Sequence, residues 1–223
     1  MKIFAFIFAR GGSKGLKNKN LKRLKGSTLV ARTINQAKKI NKISQVFISS
    51  DDNRILREGV KKGAFKIKRP KYLCNDDSSE MDSWLHAINY LKKKNIIFDL
   101  MLVLPCTSPL RSNEDILLCL KNYKKNLHMI MTIFKTKYHP ALNILKKNKL
   151  NFVKKLMNDK RIYQRQKIKD TYLIANSVYL FDPKKFTKNP TLFGKKVLGI
   201  EIPKKRAIDI DDEIDFKLCK TLI

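Results

Sequence analysis

The sequence predicts an α/β fold with a doubly wound, mostly parallel sheet. Short apolar runs of strand length alternate along the chain with segments in which apolar residues recur at helical spacing. This alternation is the pattern of β-α-β units, whose helices cover both faces of a parallel sheet. No stretch rich in Pro, Gly or Ser is long enough to divide the 223 residues, so we predict one domain over residues 1–223.

The predicted elements follow one another regularly through the first half of the chain. Each strand is a short run buried on both faces, and each helix carries its apolar residues on one side. Trp84 stands between helical neighbours and is predicted to lie in the core. The predicted strands comprise residues 2–8, 45–49, 65–67, 100–104 and 128–133, and the predicted helices comprise residues 29–40, 55–60, 82–91 and 114–123.

The alternation breaks between residues 135 and 169. Two weak strand-like pieces, 143–145 and 151–153, flank a turn at residues 146–149. We therefore predict an inserted β-hairpin arm within residues 135–170. After the arm, the predicted elements are strands at residues 177–181 and 197–202 and a final helix at residues 212–222.

The chain carries 49 Lys and Arg against 19 Asp and Glu, a formal net charge of +30 at pH 7. One explanation is a nucleic-acid surface, because a basic field concentrates polyphosphate near a protein. The lysines are spread from Lys2 to Lys220, however, and aromatic residues do not interleave with them as a stacking platform requires. The pattern favours a solvated basic surface and no nucleic-acid partner. A basic nucleic-acid-binding protein is the alternative from another class.

Several other classes are excluded by what the sequence lacks. The four cysteines form no CxxC pair and the three histidines are widely separated, so no zinc ribbon, redox motif or three-histidine site is predicted. The apolar run at residues 3–9 ends in Arg10 without a cleavage-site pattern, and no run approaches the ~20 apolar residues of a membrane span. We expect a cytoplasmic protein with reduced thiols and no membrane association.

A glycine-rich basic loop directly follows the first strand. Residues 10–15 read RGGSKG, and Lys17, Lys19 and Asn20 come close behind. Glycines let a backbone approach a phosphate and direct N–H groups at it, while Arg and Lys supply the countercharge. The spacing is neither GxGxxG nor GxxxxGK[ST], so it indicates no dinucleotide or Walker site. The loop is predicted to cradle phosphate, and the alternative is a plain strand-to-helix turn.

Further polar residues follow the other predicted strands, at the edge where ligands bind in open parallel sheets. Cations and hydroxyl groups gather there, as a polyphosphate site requires. Asp51 and Asp52 are instead interpreted as a cap for the helix that follows them. The polar residues are 49–52 after the second strand, Arg69 after the third, and TSPLR at 107–111 after the fourth.

An acidic segment, IDIDDE, occupies residues 208–213. In an extended chain alternate residues share a face, so Asp209 and Asp211 would point the same way and could hold one hard cation through carboxylate oxygens. Mg²⁺ suits such a pair. The alternative is that Asp211 or Asp212 caps the final helix.

Taken together, five segments resemble the CMP-N-acylneuraminate synthetases, also called acylneuraminate cytidylyltransferases. The first and last segments are specific in combination. The resemblance implies a Rossmann-like nucleotidyltransferase fold and a reaction in which the anomeric hydroxyl of a 2-keto-3-deoxy sugar acid attacks the α-phosphate of CTP, giving a CMP-sugar and pyrophosphate. In the family's order, and over nearly the whole chain, the segments are FARGGSKGLKNKNL, VFISSDD, PCTSPLR, Arg165-Gln166 and AIDIDDEIDF.

The resemblance also implies roles for individual residues on the nucleotide side. Arg10 and Lys19 would be catalytic and would face the charge that develops on the phosphates. Asp209 and Asp211 would be catalytic ligands of Mg²⁺. The nucleotide-binding residues would be Arg10, Gly11, Gly12, Ser13, Lys19, Asn20, Arg69, Ser79 and Thr107.

On the sugar side, the resemblance implies binding by Tyr179 and by Arg165 and Gln166 of the arm, which would also form the interface of a homodimer. The departures from the family pattern lie here as well. Pro105-Cys106 stands where many sialate enzymes have Gln-Pro, and residues 175–179 read ANSVY in place of an NGAIY-like strand. The acceptor is therefore open among N-acylneuraminate, legionaminate, pseudaminate and an octulosonate. A nucleotidyltransferase with another sugar or nucleotide is the second enzymatic alternative.

Overall fold

The computed structural model describes residues 1–75, 77–157 and 170–223. Its centre is a seven-stranded sheet flanked by helices. Numbered in chain order, the strands are β1 (Ile3–Phe8), β2 (Arg23–Leu24), β3 (Ser27–Thr28), β4 (Ile43–Ser50), β5 (Phe65–Lys68), β6 (Leu100–Val103), β7 (Met129–Thr136), β8 (Leu145–Lys147), β9 (Val153–Lys155), β10 (Thr171–Phe181) and β11 (Val197–Glu201). The α-helices are α1 (Leu29–Lys38), α2 (Asn53–Lys61), α3 (Glu80–Lys93), α4 (Asn113–Lys121), α5 (Pro183–Lys188) and α6 (Glu213–Leu222).

The strand order across the main sheet is β11-β7-β10-β6-β1-β4-β5. Neighbouring strands are parallel except around β10, which runs antiparallel to both β6 and β7. The strand β1 lies between β4 and β6, so the loops that leave the carboxyl ends of these three strands meet at one edge. The prediction of an α/β fold with a mostly parallel, Rossmann-like sheet is confirmed.

The side chains of β1 alternate between two apolar clusters on opposite faces of the sheet. Ala5 and Ile7 pack with apolar residues of α1, α2, α4 and α6, whereas Phe4 and Phe6 pack on the side of α3 and α5. Trp84 of α3 is wholly buried in the second cluster, as predicted. Because helices cover both faces, the sheet is doubly wound.

The two acidic segments each supply one helix cap. Asp52 caps α2, and its Oδ1 accepts a hydrogen bond from Arg54 N at 2.7 Å. Asp212 caps α6 within a capping box. The cap predicted at Asp51-Asp52 is therefore confirmed and is made by Asp52, while Asp51 and Asp211 are left for other contacts.

The hairpin predicted within residues 135–170 is present, with its strands shifted by two residues. β8 and β9 pair antiparallel in a separate two-stranded sheet. Lys146 and Lys147, predicted to lie in the turn, belong to β8. The reason is that the turn begins at Asn148, whose Oδ1 accepts hydrogen bonds from Leu150 N and Phe152 N, both at 3.0 Å.

Other differences from prediction arise where sequence patterns are short or irregular. β10 begins at Thr171, well before the predicted start at Ser177, because it pairs with β7 from Thr171 onward. An irregularity between Ile174 and Tyr179 separates this first part from the predicted part. The short helix α5 and the β2–β3 pair were not predicted, since such short elements show no period. Within the described part of the chain, no helix is long and apolar enough to cross a membrane.

Candidate active site

A cavity of about 520 Å³ opens beside the carboxyl ends of β1, β5 and β6. Its wall combines the glycine loop, the residues after β5 and β6, the start of α3 and the acidic segment before α6. The structure therefore brings the sequence-distant candidate residues into one site. The predicted site residues that line it are Arg10, Ser13, Lys19, Asn20, Arg69, Ser79, Thr107, Asp209 and Asp211.

The first two glycines of the loop were predicted to bind the nucleotide. Gly11 and Gly12 are not among the residues that line the cavity. The N–H of Gly11 donates to Asp51 Oδ1 at 2.9 Å, so it is already engaged within the protein. Asp51 thus anchors the glycine loop to the end of β4.

Gly15, at the end of the same loop, does line the cavity and allows a close approach. A Cβ atom at this position would overlap the backbone oxygen of Asp211. The absence of a side chain therefore lets the loop lie directly against the acidic segment. The loop and the acidic segment form adjoining walls of one cavity for this reason.

Lys19 connects the loop region to the acidic segment through its amino group. Its side chain is only 14% exposed. Nζ donates to Ile210 O at 2.6 Å and to Asp211 Oδ1 at 3.1 Å. A cation is thereby held at the junction of the two predicted constellations, where it can face a bound phosphate chain.

Asp209 and Asp211 both line the cavity but lie in different surroundings. Asp209 is partly buried, and its Oδ2 accepts a hydrogen bond from Asn176 Nδ2 at 2.6 Å. Desolvation by burial raises the pKa of Asp209, while the neighbouring Thr107 and Asn176 side chains act in the opposite direction. The side chain of Asp211 is 80% exposed and pairs with Lys19.

The donor set fits a hard cation such as Mg²⁺. Oδ1 of Asp209 is buried and has no hydrogen-bond partner among the described residues, so it retains a ligand position. Within residues 1–75, 77–157 and 170–223, no group of three or more His, Cys, Asp or Glu side chains could hold a metal by itself. Mg²⁺ commonly binds one or two carboxylates and completes its shell with substrate phosphate and water. The Asp209 and Asp211 pair suits that mode.

Asn20 holds the glycine loop in place from within the cavity wall. Its Nδ2 donates to Arg10 O at 3.0 Å, and its Oδ1 accepts from Cys106 Sγ at 3.2 Å. Burial raises the pKa of Cys106 to about 12, so the thiol stays protonated and remains a donor. The side chain of Asn20 is therefore engaged with protein atoms while it lines the cavity, and its nucleotide role stays a prediction.

Arg69 and Ser79 also combine cavity lining with internal contacts. Arg69 is buried, and its guanidinium donates to Ser83 Oγ at 2.8 Å and to Ser49 O at 3.2 Å. Burial lowers the pKa of Arg69. Ser79 caps α3, with its Oγ accepting from Met81 N at 3.2 Å.

Arg111, one of the cations counted at the strand ends, is buried and does not line the cavity. Its Nη1 donates to Pro105 O at 3.0 Å and to Ser177 O at 2.8 Å, and its Nε donates to Gln36 Oε1 at 3.0 Å. Burial lowers the pKa of Arg111 to about 10, which leaves it charged at neutral pH. It holds the loop of residues 105–111 against β10.

Tyr179, predicted to bind the sugar, does not line the cavity. Its side chain is 3% exposed, and its ring packs against Trp84 with the centroids 5.3 Å apart. The hydroxyl donates to Asn176 Oδ1 at 2.7 Å. Asn176 of the same strand does line the cavity, and the sequence prediction missed it. Arg165 and Gln166, the other predicted sugar-binding residues, lie outside the described residues.

Comparisons with known proteins found a family model and relatives that match nearly the whole chain. Residues 4–213 match the family model described as cytidylyltransferase. The chain is 29% identical to the post-translational flagellin modification protein B of Campylobacter coli, over 99% of this chain and 94% of that protein. It is also 29% identical, with the same coverage, to the CMP-N,N'-diacetyllegionaminic acid synthase of Campylobacter jejuni.

Similarity to solved structures supports the fold. The structure of CMP:2-keto-3-deoxy-manno-octonic acid synthetase complexed with CTP superposes with a TM-score of 0.72 and 15% identity. The match covers 100% of this chain and 98% of that one. The likeness extends over nearly the whole length of both chains and supports the fold.

Proposed function

The chain belongs to the cytidylyltransferase family, and we propose that it transfers CMP from CTP to the anomeric hydroxyl of an acidic 2-keto-3-deoxy nonulosonic acid. In this reaction the anomeric oxygen attacks the α-phosphorus, and the bond from that phosphorus to pyrophosphate breaks. The observation that carries the proposal is the position of Lys19. This residue follows the glycine loop in sequence, and its amino group contacts Ile210 O and Asp211 Oδ1 of the acidic segment.

The described cavity suits a triphosphate because cationic groups surround one end of it. Arg10, Lys14 and Lys19 line the wall on the side of the glycine loop. Phosphoryl transfer depends mainly on positioning and on neutralising charge, since the protein takes no covalent part in it. We assign Arg10 and Lys19 to the charge that builds on the phosphates during the transfer.

Asp209 and Asp211 are the residues that would hold Mg²⁺. When bound, the ion neutralises phosphate charge and aligns the phosphate chain. The protein's own contribution is to present carboxylate oxygens from one side, with Lys19 keeping Asp211 close to the cavity. Thr107 lines the cavity beside Asp209, and its backbone oxygen accepts a hydrogen bond from Ile210 N at 2.8 Å, which fixes the acidic segment.

For the acceptor we propose an acid of the legionaminate type. The relative from Campylobacter jejuni is named for that product. In this chain Pro105 and the buried, internally bonded thiol of Cys106 line the cavity where many sialate enzymes have Gln-Pro. An apolar wall at this point favours an acceptor whose recognition does not need a glutamine side chain, and Arg165 and Gln166 of the arm are proposed to complete its binding.

We further propose that the chain acts as a homodimer in the cytoplasm. The hairpin exposes apolar side chains, among them Phe152 at 71% and Val153 at 60%. Exposed apolar residues grouped on a projecting element mark an interaction surface. All four cysteines are free thiols, which suits a reducing compartment.

The proposal is tested by incubating the protein with CTP, Mg²⁺ and a panel of nonulosonic and octulosonic acids, followed by mass spectrometry. We expect a CMP-sugar and pyrophosphate with a legionaminate-type acid and none after chelation of Mg²⁺. An Asp209→Ala variant serves as the inactive control. Turnover of UTP with a sugar 1-phosphate would contradict the proposal, as would tight, salt-sensitive binding to mixed-sequence DNA or RNA without triphosphate turnover.

A further inference from the structure

An irregular stretch of β10 forms part of the cavity wall. The pairing of β10 with β7 runs regularly to Ile174 and resumes at Tyr179, with more residues on β10 than on β7 between these points. Asn176 lies within this bulge with φ of 47°, in the left-handed region that Asn and Gly tolerate best. The bulge brings Asn176 to the surface of the cavity.

Side chains from neighbouring elements hold the bulge in this shape. They engage its backbone groups one after another, so the unusual conformation is determined from outside the strand. The hydrogen bonds are Ser108 Oγ to Asn176 O at 2.8 Å, Arg111 Nη1 to Ser177 O at 2.8 Å, and Val178 N to Thr132 Oγ1 at 3.0 Å.

The amide of Asn176 connects the core to Asp209. Its Nδ2 donates to Asp209 Oδ2 at 2.6 Å, and its Oδ1 accepts from the Tyr179 hydroxyl at 2.7 Å. An ionised carboxylate can only accept, so the amide nitrogen must face Asp209, and the tyrosine hydroxyl must then donate to the amide oxygen. The orientation of the amide is therefore determined at both ends.

We infer that Asn176 is a positioning residue that fixes Asp209 and leaves its Oδ1 to a divalent cation bound with the CTP phosphates. Oδ2 is occupied by Asn176, while Oδ1 is buried without a partner among the described residues. The side chain of Asp211, in contrast, is mostly exposed. Asp209 therefore sets the position of the ion, and the side chain of Asp211 can change its orientation to bind the ion there. The inference rests on the proposed function and adds a residue to its machinery.

The test uses Mn²⁺ as the probe, with CTP present and no acceptor, and free Mn²⁺ is measured by electron paramagnetic resonance. Asn176→Gly removes the amide while glycine keeps the left-handed backbone without strain. We expect the Kd for Mn²⁺ to rise about tenfold or more, the usual effect of losing a group that orients a ligand. CTP binding in EDTA and the thermal unfolding midpoint should stay unchanged.

Two further variants separate this role from a general structural one. Tyr179→Phe keeps the ring in the core and frees the amide to rotate, so we expect a smaller rise in the Kd for Mn²⁺. Asn95→Gly makes the same substitution at an exposed residue with φ of 57°, far from the cavity, and should leave Mn²⁺ binding unchanged.

Unchanged Mn²⁺ affinity in Asn176→Gly would overturn the inference. An equal loss of CTP binding in EDTA would overturn it as well, because Asn176 would then act on the nucleotide or the fold. The two proposals fail separately. The inference about Asn176 stands if the wild-type protein binds Mn²⁺ with CTP and Asn176→Gly weakens this binding. The proposed function fails if no acid yields a CMP-sugar.

Discussion

Lys19 places one nearly buried ammonium group between two chain segments that are far apart in sequence. Lys19→Ala removes the cation that we propose to face the triphosphate and also releases Asp211. We expect kcat/KM for CTP to fall on the order of 100-fold, the usual effect of losing a group that stabilises charge in the transition state. Pyrophosphate release with a saturating acceptor measures the change.

Lys17 is the matched control, because it is an exposed lysine of the same segment that does not line the cavity. Lys17→Ala should retain wild-type kcat/KM. An equal loss in both variants would mean that the loop needs positive charge in general and would remove the specific role of Lys19.

Gly15 is required by its contact with the acidic segment. In Gly15→Ala the new Cβ meets the backbone oxygen of Asp211, which cannot rotate away as a side chain could. We expect a loss of about 1–3 kcal/mol in the free energy of unfolding, the usual cost of overpacking. Gly12→Ala is the control for stability, since its Cβ would meet no atom within 4 Å. Urea denaturation of both variants checks this prediction, and equal stabilities would contradict it.

At the scale of elements, the loop of residues 105–111 depends on one buried arginine. Arg111→Met would leave Pro105 O and Ser177 O without their donor, and each buried carbonyl without a partner costs about 1–3 kcal/mol. We expect the free energy of unfolding to fall by about 3 kcal/mol in urea denaturation. Arg32 is the control: its Nε lies 3.4 Å from Pro109 O, and Arg32→Met should change stability by no more than about 0.5 kcal/mol.

The hairpin β8–β9 is the element expected to carry the dimer interface. Phe152→Asp places a charge on its exposed apolar surface, so we expect the dimer to dissociate at concentrations where the wild-type protein is dimeric. Light scattering after gel filtration measures the mass. Ile97→Asp, at a residue 71% exposed in the loop before β6, should leave the mass unchanged. A monomeric wild-type protein, or a dimeric Phe152→Asp variant, would contradict the prediction.

The fold could be predicted from the sequence largely because periodicity is a local property. Strands such as β1 and helices such as α3 are long enough for their apolar pattern to identify them. The hairpin strands were misplaced by two residues because the turn depends on the side chain of Asn148, which lysine-rich neighbours obscure. The early start of β10 depends on pairing across a bulge, which no pattern within the strand records.

The sequence identified which residues belong to the site more readily than it identified what each residue does there. Asp209, Asp211 and Lys19 were identified from residue type and motif, and the structure brings them together. The partner of Gly11 could not be predicted, since Asp51 belongs to a distant segment. The partner of Tyr179 lies only three residues away, but the contact depends on the irregular pairing of β10 with β7. The polar pair Asn176-Ser177 in a mostly apolar strand was the signal for the bulge, and the role of Asn176 becomes clear only with Asp209 beside it.

At the scale of the whole molecule, the large positive charge of the protein contrasts with the nearly equal numbers of cationic and acidic side chains that line its cavity. The chain has a formal net charge of +30. The cavity is lined by four cationic and three acidic side chains of the described residues: Arg10, Lys14, Lys19, Arg69, Glu80, Asp209 and Asp211. We therefore expect long-range attraction of anionic substrates to arise from the surface as a whole, and local binding to arise from the nearly balanced set of groups in the cavity.

This separation predicts how salt acts on the enzyme. Charges on the surface are screened beyond a Debye length of about 8 Å at physiological ionic strength, whereas groups that contact the nucleotide are screened much less. We expect KM for CTP to rise several-fold over a roughly tenfold increase in ionic strength while kcat stays nearly constant. Initial rates of pyrophosphate release at several salt concentrations measure both constants.

Cytidine, which carries no charge, provides the control as a competitive inhibitor whose Ki should not change with salt. A KM for CTP that is independent of salt, or a Ki for cytidine that rises in parallel with it, would show that the basic surface does not assist binding and that its lysines only keep the protein solvated.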